Sequence, residues 1–504
     1  MSRSAFQLSG YAALIFITSA LVLVVEIVAA RLIAPFVGVS LYSWTAIIGV
    51  VLAGLSLGNW LGGVWADRGA TRRTAGVVLL LASLSVFSVL LILPHLAQYL
   101  QNAPFSLASL SVILTGALFF VPAALLGVLT PLLITLSLKL SSRTGHVIGL
   151  LHALAALGSI VGTFVTGFWL VQWIGSRNII IATGVVLIFL ALPLLRRPAA
   201  IGSVLIGLLV GGLALSGLGY QNPCDRESSY FCLRVVDASH EAPFGEARGL
   251  VLDHLLHGSN HQQHPQLILA PYLHLIDELA AWQTGQDEGK SYFFAGGGAY
   301  TLPRALYDRD PSAHIVVAEI DPEVTRLAAD QLYVDPTQFE VRHTDARVAL
   351  QQDPPAKYDV IVGDVFHDIA IPYHLVTAEF AEVIRQRLEP DGIYLMNVVD
   401  TYPNPLLVKA KIKTLSTMFD DVQVWMDGPP EGQLRVTYVI SARNGGPDLP
   451  FIYEAQRGLS RLWGQATQGL KAQGTPMAEI PVITDDLAPV ERLMAGLFLG
   501  DSGR

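Results

Sequence analysis

The sequence predicts a multi-pass α-helical membrane domain fused to a doubly wound α/β domain, with a small β-rich subdomain between them. Three observations carry this prediction. Charge is unevenly divided: residues 1–218 hold 10 of the 32 Lys and Arg but only Glu26 and Asp67 of the 41 acids. The same 218 residues contain seven apolar runs, each near or above the roughly 20 residues needed to cross hydrocarbon. Beyond residue 290, short β-like runs alternate with helical ones, the pattern of a parallel sheet. At 52% hydrophobic and 14% charged overall, the chain is neither a disordered protein nor a wholly soluble one.

The apolar runs fall at 9–34, 44–66, 74–100, 108–138, 146–173, 177–195 and 201–218. The first is too long to be only a signal peptide, and others follow it. The fourth contains Pro122 and Pro131, so a kink, a tilt or a break into a re-entrant segment is expected there. Arg3, the Arg68/Arg72/Arg73 loop, Lys139 with Arg143, and Arg196 with Arg197 fall on every second connection, which assigns those connections to the cytoplasm. Seven crossings put the following domain outside; an eighth hidden in 108–138 would reverse it. Gly54, Gly58 and Gly62 repeat every fourth residue, spacing that lets a second helix approach closely. Glu26 is costly in lipid and should face the bundle interior or a water-filled cavity.

Residues 219–504 carry 22 basic and 39 acidic groups, and so much negative charge excludes a nucleic-acid partner. Alternation and Gly/Pro punctuation over 229–270 predict short antiparallel strands, making 219–290 the β-rich subdomain. Cys224 and Cys232 form one bridge or remain two free thiols. His254, His257, His261 and His264 fall three or four apart and would share a face if helical, but no His-Glu-x-x-His pattern accompanies them and no metal site is assigned.

From 291 to 504, strands are expected at Ser291–Ala295, His314–Glu319, Phe339–His343, Tyr358–Gly363 and Gly392–Asn397. Helices are expected at 301–308, 322–331, 346–352, 377–388 and 402–418. Edge strands around 421–440 and outer helices at 452–471 and 487–498 complete the domain. Gly296, Gly297 and Gly298 sit between the first strand and its helix, where missing side chains admit a ligand to the backbone. A tight structural turn is the alternative. Glu319 ends the second strand, where a carboxylate can accept both hydroxyls of a ribose. Asp345 follows the third strand and suits either an adenine edge or a helix cap. Asp364 ends the fourth strand, where it could hold an attacking amine and take its proton, or form an Asx turn. No phosphate-loop Lys-Ser or Lys-Thr follows the glycines. A nicotinamide dinucleotide also fits glycines followed by Glu319. Thr484-Asp485-Asp486 reads as a helix cap rather than a calcium site.

With Gly296-Gly297-Gly298, Val-Ala-Glu319-Ile-Asp321 and Tyr358-Asp359-Val-Ile-Val-Gly363-Asp364, residues 220–500 resemble the spermidine synthase family, in particular its membrane-fused bacterial members. Weaker matches are Glu227-Ser-Ser-Tyr230 and Arg248-Gly-Leu-Val-Leu-Asp253. The resemblance implies a class I methyltransferase-like, Rossmann-like fold and transfer of an aminopropyl group from decarboxylated S-adenosylmethionine to an amine. It assigns Gly296, Gly297, Gly298, Glu319 and Asp345 to the donor, Asp364 to catalysis, and Tyr230, Asp253, His257 and Asp368 to the amine. No tightly bound cofactor or metal is implied. The expected partners are a small cationic amine and the lipid bilayer, with a homodimer left open. Departures fall on the amine and donor-tail side: Ala299 stands where the family has Asp, and Phe231 and His257 where it has Gln. These departures keep two alternatives in view: methyl transfer from S-adenosylmethionine, and a non-catalytic nucleoside- or polyamine-binding domain coupled to a transporter-like membrane domain.

Overall fold

A computed structural model of the protein describes residues 3–69, 71–101, 103–195, 197–285, 288–352, 357–366, 369–432, 434–445, 450–456 and 459–500. The chain divides into two compact units. One comprises Met1–Pro223 with Glu227–Ser229, and the other Cys224–Arg226 with Tyr230–Arg504.

The first unit is helical, and the chain is a multi-pass membrane protein. Among the described residues, six helices are long and apolar enough to cross a bilayer: Ser4–Val37, Leu41–Asp67, Arg72–Leu100, Leu107–Leu138, Thr144–Ile174 and Ser176–Leu194. A shorter apolar helix, Val204–Leu215, follows them. The segment expected to kink or break is a single helix, Leu107–Leu138, with both prolines inside it. Pro122 is buried, as are Leu118, Phe119, Ala123 and Leu126 around it, so tertiary packing holds the helix where a proline removes a backbone bond.

Small residues set the closest helix contacts. A Cβ at Gly58 would lie 2.0 Å from the Ala124 carbonyl oxygen, and those at Gly54 and Gly62 would lie 2.8 and 2.5 Å from the Phe120 and Val128 oxygens. A second set, of two glycines, escaped the sequence reading: Gly158 and Gly162 press against the Phe16 and Ala20 carbonyls of the first helix. Gly58→Val is therefore expected to cost ~1–3 kcal/mol by overpacking, read as a lower melting midpoint in detergent. Gly63→Ala, where an added Cβ meets nothing within 4 Å, should leave that midpoint unchanged.

Residues 227–229 show where the chain leaves this unit. Arg31 donates to the Ser228 carbonyl at 2.5 Å, and Glu227 accepts from the Ser176 amide at 3.1 Å and its hydroxyl at 2.6 Å. Counted along alternating spans, Arg31 and Ser176 belong to the end opposite Arg68, Arg72 and Arg73. The positive-inside rule makes the arginine end cytoplasmic. Protease added to intact spheroplasts is thus expected to spare the connection that carries Arg68, Arg72 and Arg73, and cleavage there would contradict the assignment.

The second unit begins with a four-stranded sheet in the order β1-β2-β3-β4, formed by Arg226–Glu227, Cys232–Asp237, Ala247–Leu252 and Leu255–His261. Cys224 and Cys232 are disulfide-bonded. A nine-stranded sheet follows. Its parallel core takes the order β9-β8-β5-β6-β7, from Leu388–Tyr402, Tyr358–Gly363, Ser291–Ala295, His314–Ala318 and Glu340–Arg342. Antiparallel β11 (Leu434–Arg443) and β10 (Asp421–Met426) extend it beyond β9. The expected helix at 452–471 is instead a hairpin of β12 (Phe451–Gln456) and β13 (Leu459–Gln465), with helix only at Thr467–Ala472. Exposure alternates along Leu459–Leu462 before Trp463 is buried, the period of a β-strand. The expected outer helix at 487–498 forms as two short turns of helix, Val490–Leu493 and Ala495–Leu499.

Candidate active site

Strand register gathers the chemistry at one edge. Ala295 pairs with Ala318 and Gly363, Ala318 with Arg342, and Gly363 with Met396. The residues that follow, Gly296, Glu319, His343 and Asp364, therefore emerge together at the carboxyl ends of their strands, where open α/β sheets bind ligands, and Asn397 of β9 follows the last residue that pairs with β8.

The glycines are required by space as well as conformation. Gly296 has φ +91°, and a Cβ there would lie 2.3 Å from the Asp364 carbonyl oxygen. A Cβ at Gly297 would strike the ring of Tyr300, which is fully buried beneath the loop and hydrogen-bonds Thr325. Strand β4 closes over this loop. Asn260 donates to the Ala299 and Leu332 carbonyls at 2.7 and 3.0 Å, and Arg304 reaches back to the His261 and Gln262 carbonyls.

Glu319 is buried, and both of its oxygens are engaged. One accepts from the Gly297 amide at 2.9 Å, the other from the Asp321 amide at 2.9 Å. Each oxygen retains acceptor capacity for a ligand hydroxyl. Burial pushes the Glu319 carboxyl up to about 7, against the lowering effect of those amide bonds. The folded protein thus binds more protons than the unfolded chain between the ordinary glutamate range and about pH 7, and this group's contribution to stability falls as pH rises through that window. Ribose hydroxyls favour the carboxylate. Adenosyl-ligand affinity is accordingly expected to rise with pH until about 7 and then level off, with proton release on binding below that point, as read by calorimetry in buffers of different ionisation enthalpy.

Asp345 caps the helix Ala346–Gln352, accepting from the Arg347 and Val348 amides at 3.0 and 3.1 Å. Its second oxygen meets His374 Nε2 at 2.7 Å. Arg347 in turn forms a two-pronged pair with Asp485, both contacts 2.7 Å, and donates to the His374 carbonyl. The Thr484-Asp485-Asp486 segment therefore ties the C-terminal region to the turn after β7. Its Thr484 hydroxyl accepts from the Leu487 amide rather than capping a long helix.

Asp364 sits between two groups that the sequence reading missed. Tyr272 donates its hydroxyl to Oδ2 at 3.1 Å, and Asn397 donates to Oδ1 at 3.0 Å. Burial raises the Asp364 carboxyl above its usual range although both hydrogen bonds oppose the shift. Burial also holds the Tyr272 hydroxyl well above its ordinary value, reinforced by the Asp364 charge, so Tyr272 stays a donor. Asn397 Oδ1 is buried without a hydrogen-bond partner, an acceptor suited to a second ligand N–H. The clue to Asn397 was its place at the end of the neighbouring predicted strand; Tyr272 follows Pro271 at the first turn of helix Pro271–Thr284.

The expected amine-facing residues divide. His257 approaches the site, with its ring 6.3 Å from Phe366, two residues beyond Asp364, and its carbonyl against Gly298. Asp253 is fully buried in the β3–β4 turn at φ +53°, where it accepts from the Cys232 amide at 2.9 Å. Tyr230 packs beside Phe231 at the hydrophobic core. Asp368 lies outside the described residues. His257 and His261 belong to strand β4, with His254 in the preceding turn and His264 beyond the strand, so the four histidines have no common helical face. Ala299 is fully buried, and its Cβ would lie 3.0 Å from one added at Gly258; this part of the loop is closed around a small side chain.

No family profile matches the chain. Over 109 residues it is 37% identical to a polyamine aminopropyltransferase of Vibrio vulnificus, a stretch covering 21% of this chain and 36% of that protein. Over 188 residues it is 32% identical to a polyamine aminopropyltransferase of Synechococcus sp., covering 35% and 55%. An N-terminal histidine N-methyltransferase of Emericella nidulans is 30% identical over 148 residues, 28% of this chain and 25% of that one. The chain thus spans between a quarter and about half the length of these relatives. Among solved structures, a probable spermidine synthase from Corynebacterium glutamicum aligns with 52% of this chain and 95% of its own, at 21% identity and a TM-score of 0.42. The chain is a distant, partial homologue of aminopropyltransferases, fused to membrane helices.

Proposed function

We propose that the C-terminal unit transfers an alkyl group from an adenosyl sulfonium to an amine, with decarboxylated S-adenosylmethionine as donor and an aminopropyl group as cargo. The observation that carries this reading is the half-buried carboxylate of Asp364, held between Tyr272 and Asn397 against the glycine loop. In this scheme the loop and Glu319 hold the adenosyl part, and Asp345 lies on the adenine side. Asp364 and Asn397 Oδ1 accept N–H bonds from the amine and aim its lone pair at the methylene carbon bonded to sulfur. A C–N bond forms as the C–S bond breaks. The electron pair passes to sulfur, which leaves as neutral methylthioadenosine, and the amine proton passes through Asp364 to solvent. The raised Asp364 carboxyl suits it to taking a proton. Positioning supplies the remaining acceleration.

One observation favours methyl transfer as a second reading. Ala299 supplies no charge where the related enzymes have an aspartate to hold the donor's amino tail, and S-adenosylmethionine makes the same use of the glycine loop and Glu319. Calorimetric titration with decarboxylated S-adenosylmethionine, S-adenosylmethionine and methylthioadenosine tests the shared premise. Binding of all three through the adenosyl part is expected, and binding of none would overturn both readings.

A further inference from the structure

We propose that the membrane unit holds one anionic phospholipid of the cytoplasmic leaflet, its phosphate on Arg72 and one acyl chain in a groove between helices Ser4–Val37 and Ser176–Leu194. The groove has a volume of about 710 Å³. It is lined along the first helix from Phe6 to Ile17, and Phe189 and Leu194 form part of the opposite wall. At 1.5 Å per residue, that stretch of helix is roughly 16 Å long, about half of a ~30 Å hydrocarbon core. The length therefore suits one acyl chain of one leaflet.

Polarity is confined to one end. Among the described residues, Arg72 is the single charged residue lining the groove, and Gln7 and Tyr11 accompany it. Its guanidinium donates to the Pro193 carbonyl at 3.4 Å, which sets it over the mouth of the groove. Arg68 and Arg73 lie in the same basic connection, and no acid among the described residues lines the cavity. That connection is the one the positive-inside rule assigns to the cytoplasm, where the leaflet is anionic. A guanidinium suits a phosphate both by charge and by its forked donors. The floor is open at Gly10, where an added Cβ meets nothing within 4 Å. The proposal is independent of the chemistry assigned to the C-terminal unit.

Native mass spectrometry of the full chain, released from detergent with equal amounts of dimyristoyl phosphatidylglycerol and phosphatidylcholine, tests it. One phosphatidylglycerol per chain is expected, retained roughly fivefold over phosphatidylcholine, as about 1 kcal/mol for the Arg72 guanidinium would give. Arg72→Gln should abolish the preference. Gly10→Leu should reduce retention of both lipids by filling the groove, and it carries the test alone if the arginine variant does not fold. Melting midpoints report folding of each variant. Equal retention of the two lipids by the native chain, or native retention by a folded Gly10→Leu, would overturn the proposal. Displacement by inorganic phosphate alone would also overturn it, since a phosphate site needs no acyl chain.

Discussion

Replacing Asp364 with Asn is expected to lower amine turnover by about 10²–10⁴-fold, the range of a positioned general base, with donor affinity near that of the native chain. The amide preserves shape. Its oxygen can still accept from Asn397, and its NH₂ can donate to Tyr272, which then accepts where it formerly donated. What is lost is the acceptor for the amine proton and the negative charge facing a developing ammonium. Because burial already disfavours that charge, folding stability should change little or improve. Measuring turnover together with donor binding separates this outcome from simple unfolding. A folded variant with unchanged turnover would remove Asp364 from the chemistry.

Glu319→Gln should raise the donor dissociation constant by about 100-fold, since a charge-assisted hydrogen bond contributes ~1.5–3 kcal/mol and an unsatisfied buried group costs ~1–3 kcal/mol. The amide cannot accept from both the Gly297 and Asp321 amides; its NH₂ must face one N–H donor. The glycine loop thereby loses an anchor at the same time as the ribose loses an acceptor. The variant should also bind without the proton release expected of the native chain below about pH 7, because glutamine does not titrate. Weakened binding that kept the native pH dependence would assign that dependence to another group.

Much of this site could be read from the sequence because strand ends are punctuated. Gly296–Gly298, Glu319 and Asp364 each follow an apolar run and Asp345 follows a short strand, and parallel pairing alone brings such positions to one edge. Partners from distant elements left no such signal: Tyr272 comes from a helix outside the alternating core, and Asp485 crosses 138 residues to reach Arg347. Asp253 illustrates the reverse case. Its motif suggested ligand contact, whereas its left-handed backbone and bond to Cys232 give it a turn-forming role. In the first unit, Gly54, Gly58 and Gly62 were conspicuous by regular spacing. Gly158 and Gly162 share that spacing but stand among other glycines, so only their contacts with Phe16 and Ala20 single them out. The β12–β13 hairpin was misread because a short run of mixed residues fits a helical period as well as an alternating one.

The predicted topology bears on the assay as well. Donor supplied to one face of the bilayer reaches the C-terminal unit only if that unit lies on the same face, so reconstituted vesicles should receive donor on each side in turn. The most direct measurement is mass analysis of products after the full chain is incubated with decarboxylated S-adenosylmethionine and a panel of small amines, using native protein and Asp364→Asn. The account predicts methylthioadenosine and an amine heavier by one aminopropyl group in equal amounts, both strongly reduced in the variant. Donor left intact by folded native protein with every amine, or equal product from both proteins, would contradict it.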